Sequence, residues 1–197
     1  MRVYFVIKRV FDISTSLLSL VLFSPILVIL AILIKLGSKG PILFKQERVG
    51  KDKVYFNILK FRTMRIDTPR NMPTHLLKNP DQWITPIGKF LRKFSLDELP
   101  QLLNILRGEM SVVGPRPALW NQYDLIELRD KYNINSLVPG LTGWAQVNGR
   151  DELSTELKVS FDKVYIEKKS LWFDMKCIIY TLFKVLKSEG VVEGKVE

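Results

Sequence analysis

Ile13-Ser14-Thr15-Ser16-Leu17-Leu18-Ser19-Leu20-Val21-Leu22-Phe23-Ser24-Pro25-Ile26-Leu27-Val28-Ile29-Leu30-Ala31-Ile32-Leu33-Ile34 is a run of 22 residues without a charge, bounded by Lys8, Arg9 and Asp12 before it and by Lys35 and Lys39 after it. As one straight α-helix it extends roughly 33 Å, enough to cross a hydrocarbon core of about 30 Å. A cleaved signal peptide has a shorter apolar region and a small-residue cleavage site, and nothing of that kind follows here. Two paths stay open. In the first, Pro25 kinks a spanning helix, which membrane helices tolerate. In the second, the chain enters the bilayer, turns at Ser24-Pro25 and leaves on the side it came from. Each half, about 12 residues, then reaches roughly 18 Å and stops within one leaflet. Basic residues at both ends favour this re-entrant hairpin, because positive flanks prefer the cytoplasmic side.

The rest of the 197-residue chain, which is 47% hydrophobic, suffices for one core. The net charge of +10 calls for an anionic partner. Its placement narrows the choice, since Lys35 to Arg70 holds ten Lys or Arg against three acids directly after the apolar run. That points to lipid head groups or phosphorylated substrates; a nucleic acid is the alternative such a patch also serves. Cys177 is the only cysteine and His75 the only histidine. An intrachain disulfide is therefore excluded, a reducing compartment is expected and zinc is disfavoured. Any metal would be a hard cation held by carboxylates and phosphates.

Downstream, Gly37 to Pro41 is a turn, and Ile42-Leu43-Phe44 and Val54 to Met64 read as strands around Gly50-Lys51-Asp52. Lys60 and Arg62 stand two apart, so period-2 geometry puts both cations on one face, where they could grip a diphosphate or simply be solvated. Residues 65–83, with three prolines, read as a loop. Thr85-Pro86-Ile87-Gly88 opens a short helix that runs through Arg92.

Next comes Ser95-Leu96-Asp97-Glu98-Leu99-Pro100-Gln101. Ser95 and Glu98 match a capping box, but that cap would place Pro100 inside the helix, where it is costly. With Asp97 at or beside the cap, Pro100 falls in the first turn and Asp97 at the positive end of the helix dipole. Leu99, Leu102, Leu103 and Leu106 then face the core, and Gly108 ends the helix. Ser111-Val112-Val113 is a short buried strand that enters Gly114-Pro115-Arg116-Pro117, where two prolines hold an arginine on a stiff turn suited to phosphate binding.

Asn121 to Lys131 reads as an exposed helix. In Pro139 to Arg150, glycines surround Trp144, Ala145 and Val147, so the backbone approaches something closely; a tight hairpin would explain the glycines but not Gln146, Asn148 and Arg150 alternating on one face. From Leu153 the chain is helical; Leu171 to Lys184 fits either a helix lying in the membrane surface or a core helix.

Taken together and in order, these motifs resemble the monotopic phosphoglycosyl transferases, or bacterial sugar transferases. The matching pieces are Lys8-Arg9 with Phe11-Asp12, Ser24-Pro25, Gly40-Pro41 with Phe44, Gln46, Arg48 and Gly50, and Lys60-Phe61-Arg62-Thr63-Met64. They continue through Ser95 to Leu102, Asn104, Gly108, Met110-Ser111, Gly114 to Pro117, and Pro139 to Arg150. The short N-terminus resembles minimal members made of the catalytic unit alone. The resemblance implies an α+β, membrane-associated protein. Residues 1–36 would be a re-entrant helix hairpin, and residues 37–197 a small, mostly helical cytosolic domain with a short β-hairpin and amphipathic interfacial helices.

It further implies an enzyme at the cytoplasmic face of the bacterial inner membrane that transfers a sugar 1-phosphate from a UDP-sugar to undecaprenyl phosphate, releasing UMP. Asp97 would be the nucleophile that carries the phosphosugar, and Glu98 its partner in an Asp-Glu dyad. Mg²⁺ would sit on Asp97 and Glu98. Lys60, Arg62, Arg92, Arg116, Gln146 and Arg150 are the expected contacts to phosphate or substrate. Membrane lipids are expected partners and nucleic acid is not; a homodimer is left open. The rival from another class is a membrane-tethered basic module that binds anionic lipid or nucleic acid, which needs no adjacent carboxylates.

Overall fold

The structure, a computed structural model, describes residues 2–68, 79–149 and 152–187. It is mixed and helix-dominated. Its elements in order are α1 (Arg2–Gly37), β1 (Leu43–Val49), β2 (Tyr55–Phe61), α2 (Pro86–Lys93), α3 (Gln101–Arg107), β3 (Ser111–Val113), α4 (Tyr123–Asp130), β4 (Gly140–Thr142), α5 (Trp144–Val147), α6 (Thr155–Lys168) and α7 (Leu171–Lys187). The strands form two small sheets, an antiparallel β1-β2 hairpin and a parallel β3-β4 pair.

The apolar run lies within α1, which stays helical through Pro25. A proline has no N–H for the carbonyl four residues back, here that of Val21. The Ser24 hydroxyl donates to that carbonyl instead, at 2.8 Å, so the pair Ser24-Pro25 keeps the freed oxygen bonded. Where two separate half-helices were expected, the helix runs on through the proline, with the Ser24 hydroxyl in place of the one missing backbone donor. Packing, however, is not. Lys8, Asp12 and Ser16 are buried on the first half, and Leu30 and Ile34 on the second, whereas residues 21–26 are all exposed. The two stretches that flank Ser24-Pro25 both lie on the rest of the protein, and the stretch between them does not.

The anchors of α1 are polar as well as apolar. Lys8 donates to Asp174 on α7 at 2.9 Å, and Asp12 accepts the Val112 N–H of β3 at 2.9 Å. Arg9 donates to the carbonyls of Ile105 (2.6 Å) and Leu106 (2.8 Å), which satisfies the C-terminal end of α3. Leu20 packs on the core cluster of Phe56, Ile58, Leu102 and Ile105. Leu30 and Ile34 form another cluster with Phe61 and Leu91. Elsewhere α1 leaves its apolar side chains uncovered; Leu18, Val21, Leu22, Val28 and Ile29 are each more than half exposed. It is the one helix among the described residues long and apolar enough to cross a membrane, which fits membrane association.

The hairpin β1-β2 pairs Leu43 with Phe61 through Val49 with Tyr55 and closes through a short 3-10 turn at Lys51–Lys53. Pro139 to Gly149 is not a hairpin. Gly140–Thr142 pairs with β3 in parallel, and Trp144–Val147 is helical, so Gln146 and Asn148 do not alternate along a strand. The reason is crowding, since a Cβ on Gly140 or Gly143 would run into the backbone of Gly114. These glycines let the two segments touch. Helix α7 is a core helix on one side, where Phe173, Asp174 and Cys177 are buried, whereas Trp172, Leu182 and Phe183 are exposed. Its Lys176 lies over the rings of Trp144 (5.1 Å) and Tyr180 (5.6 Å).

Candidate active site

Asp97 and Glu98 occupy a 3-10 turn, Leu96–Glu98, immediately before α3. Ser95 adopts a left-handed conformation (φ 54°) and its side chain makes no capping bond, which removes the capping-box reading. The expected helix start is shifted too: Pro100 is the cap residue and α3 begins at Gln101. Asp97 therefore sits in a turn ahead of the helix, and neighbouring cations take over the role assigned to the dipole.

Both carboxylates are more than nine-tenths buried, and burial disfavours charge unless it is paired. Glu98 Oε1 accepts from Lys60 Nζ at 2.8 Å and from Arg116 Nη2 at 3.1 Å. Lys60 Nζ also lies 3.8 Å from Asp97 Oδ2. Desolvation pulls the Lys60 ammonium below the ordinary lysine range, while the charges of Glu98 and Asp97 pull it back up. Two anions and two cations thus meet in one small volume.

Three devices hold these groups in place. The first is Asn104 on α3, which accepts the Leu59 N–H of β2 (2.9 Å) and donates to the Asn57 carbonyl (2.8 Å). It fixes α3 against the strand that carries Lys60. The second is α1. Leu96 packs against the cluster of Leu30 and Ile34, and Leu99 against the cluster that receives Leu20. The dyad turn is therefore bracketed by side chains that pack with the two halves of α1, on either side of the exposed stretch 21–26.

The third device is the turn Gly114-Pro115-Arg116-Pro117, every residue of which has a backbone group bonded. Gly114 N–H donates to Thr142 O (2.8 Å) and Gly140 N–H to Pro115 O (2.9 Å). Arg129 Nη1 donates to Arg116 O (2.9 Å) and Arg48 Nη1 to Pro117 O (3.1 Å). The stiffness expected from two prolines is reinforced from four sides.

Of the expected contacts, the structure brings Lys60 and Arg116 to the dyad. Arg62 goes elsewhere. Strand β2 ends at Phe61; the Arg62 N–H still donates to Ile42 O at 2.9 Å, but its side chain is buried beneath the end of α1. Its guanidinium donates to the carbonyls of Lys39 (2.5 Å), Ser38 (2.7 Å) and Ile34 (3.4 Å) and to Ser38 Oγ (2.9 Å). It caps the C-terminal end of α1 and takes no part in the dyad cluster. Arg92 lies in the last turn of α2, and its carbonyl accepts the Ser95 N–H at 3.1 Å. Gln146 lies on α5 with its amide nitrogen and oxygen both buried and without a hydrogen-bond partner. Arg150 lies outside the described residues.

Arg129 and Asp162 form a buried pair that no sequence motif marks. Arg129 belongs to the helix read as exposed, yet it is 5% exposed, and its Nε (3.0 Å) and Nη2 (2.6 Å) both donate to Asp162 Oδ2. The available signal was Leu125, four residues earlier and on the same buried face. Burial pushes the Asp162 carboxyl up from its ordinary range, and Arg129 opposes that. Cys177 is buried and its thiol is pushed up to about 12 by desolvation, which makes it unreactive.

A family model described as bacterial sugar transferase matches residues 3–188. The chain belongs to the bacterial sugar transferase family. Among similar proteins, UDP-glucose:undecaprenyl-phosphate glucose-1-phosphate transferase of Escherichia coli is 43% identical over 185 residues, covering 90% of this chain and 40% of that protein. The exopolysaccharide production protein ExoY of Rhizobium meliloti is 38% identical over 197 residues, covering 93% and 87%. The UDP-N-acetylgalactosamine-undecaprenyl-phosphate N-acetylgalactosaminephosphotransferase of Aeromonas hydrophila is 38% identical over 196 residues, covering 95% and 45%. The chain thus spans about two fifths of the length of the E. coli relative.

Proposed function

We propose that this protein transfers a sugar 1-phosphate from a UDP-sugar to undecaprenyl phosphate at the cytoplasmic face of the inner membrane, releasing UMP. The observation that carries the reading is the buried Asp97-Glu98 pair, with Lys60 and Arg116 on Glu98 and α1 packed on both sides of the turn. The names of the relatives supply the substrate class. A purely electrostatic binding module needs no buried carboxylates among its cations.

In the proposed reaction Asp97 attacks the β-phosphorus of the UDP-sugar. The new bond is Asp97 Oδ to phosphorus; the bond that breaks joins that phosphorus to the bridging oxygen, and UMP leaves with the electron pair. An oxygen of undecaprenyl phosphate then attacks the same phosphorus and frees Asp97. Lys60 and Arg116 offset the charge of the diphosphate so that a carboxylate can approach it. Glu98 keeps both cations charged and aimed at the site before substrate arrives.

A divalent cation fits this donor set. Among the described residues there is no group of three or more His, Cys, Asp or Glu that could hold a metal ion. Mg²⁺ commonly takes one or two carboxylates and completes its shell with phosphates and water. Asp97 and Glu98 would hold it, and it would supply further neutralisation of the diphosphate oxygens.

A re-entrant path for α1 is part of this reading. It is supported by basic residues at both ends, by the packing of residues 8–20 and 27–34 on the same domain, and by the exposure of residues 21–26 between them. On that path a lipid phosphate at the membrane surface and a soluble nucleotide reach the same carboxylates. The test is to present purified protein with Mg²⁺, undecaprenyl phosphate and a panel of UDP-glucose, UDP-galactose and UDP-N-acetylhexosamines. UMP release with one of them supports the reading; no release with any member of the panel contradicts it.

A further inference from the structure

The ion pair between Arg129 on α4 and Asp162 on α6 is almost fully buried and touches neither Asp97 nor Glu98. Side-chain exposure is 6% for Arg129 and 1% for Asp162. Removing two charges from water costs several kcal/mol per ion, so such a pair is a weak source of stability. Its geometry suggests another use. Two N–H groups of Arg129, on Nε and Nη2, converge on the single oxygen Asp162 Oδ2. That fixes the plane of the guanidinium and turns Nη1 onto the carbonyl of Arg116, at 2.9 Å. Asp162 Oδ1 has no hydrogen-bond partner, so Arg129 is the one side chain this carboxylate is bonded to among the described residues.

We infer that Arg129 and Asp162 are positioning residues for Arg116, an inference that rests on the transferase reading above. Asp162 orients Arg129, Arg129 holds the Arg116 backbone, and the Arg116 side chain thereby stays 3.1 Å from Glu98, on the side where a diphosphate would arrive. Arg48, bonded to the next carbonyl, flanks the same turn. A planar, forked cation meets a carboxylate oxygen and a carbonyl from fixed directions; an ammonium can bond both but offers no such fixed plane. A displacement of about 1 Å at a positioned group can lower a rate about 100-fold, which is the scale expected here.

The test is a double-mutant cycle on the full chain, with UMP release measured on the UDP-sugar that the wild type uses. Arg129→Lys is expected to lower kcat/KM by about 10–100-fold, with the same split between kcat and KM as Arg116→Ala. In the Arg116→Ala background, Arg129→Lys is expected to add almost nothing, because the group it positions is gone. Multiplicative losses in the double variant would overturn the inference and leave Arg129 as a structural residue. If Arg129→Lys does not fold, Asp162→Glu enters the same cycle, since it keeps the ion pair and displaces it by one methylene; multiplicative losses there overturn the inference equally. A wild-type protein that releases no UMP from any UDP-sugar would overturn the transferase reading, and this inference with it. An active wild type with uncoupled variants overturns the positioning alone.

Discussion

Lys60 Nζ stands 2.8 Å from Glu98 Oε1, an ion pair between a β-strand and a 3-10 turn 38 residues further along the chain. It decides how the dyad works before substrate arrives. Glu98 is a counter-ion for Lys60 and Arg116, and Asp97 Oδ2 stands 3.8 Å from the same ammonium; in the proposed reaction Asp97 is the carboxylate that attacks phosphorus.

Desolvation lowers the Lys60 pKa, which gives the pH–rate profile a definite sign. A lysine so perturbed loses its proton below the ordinary value of about 10.4. Since kcat/KM reports the free enzyme, it is expected to fall on the alkaline side at a pH below that value. In Lys60→Arg the cation does not titrate and this limb should disappear. A limb unchanged in Lys60→Arg would assign the titration to another group.

Arg62→Ala should destabilise the protein without changing how it handles nucleotide. The substitution leaves the carbonyls of Ile34, Ser38 and Lys39 without their shared donor, at about 1–3 kcal/mol. Thermal unfolding in detergent is expected to show a lower Tm, with KM for the UDP-sugar within about twofold of wild type in the folded fraction, as for an interaction that touches no substrate. A large rise in KM with Tm unchanged would return Arg62 to the site.

Chelation should abolish UMP release, and added Mg²⁺ should restore it. If, as proposed, Asp97 and Glu98 hold the ion and the substrate phosphates complete its shell, Mg²⁺ alone is expected to leave Tm nearly unchanged. Mg²⁺ with a non-reacting UDP-sugar analogue should raise it. A strong Tm increase from Mg²⁺ alone would require a protein-only metal site.

Topology is open to direct measurement. On a re-entrant path, an N-terminal tag on intact cells is reached by a membrane-impermeant reagent only after the inner membrane is permeabilised. Labelling of untreated periplasm-exposed cells would make α1 a spanning helix.

Much of this was legible in the residues, and the exceptions have physical causes. Residues 13–34, the β-hairpin, the buried strand at Ser111, the Gly108 cap and the stiff Arg116 turn follow from local rules of composition and turn chemistry. Arg62 was misplaced because strand alternation was extended one residue past the end of β2, where an interaction with α1 takes over. The capping box failed because Ser95 is in the left-handed region and its side chain makes no cap bond, which the S-x-x-E spacing does not encode. The Pro139 to Arg150 segment looked like a hairpin because its glycines signal close approach without saying to what; the partner is Gly114. Arg129 and Asp162 meet across 33 residues, and no local pattern encodes that.

The central claim is that Asp97 forms a covalent bond to the sugar phosphate. Purified protein is mixed with its UDP-sugar and Mg²⁺ in the absence of lipid phosphate, and UMP and intact mass are both measured. UMP is expected to be released to at most one equivalent, with a sugar-phosphate adduct on Asp97 and with Asp97→Asn unmodified. UMP that appears only when lipid phosphate is present, with no adduct at any time, would contradict it.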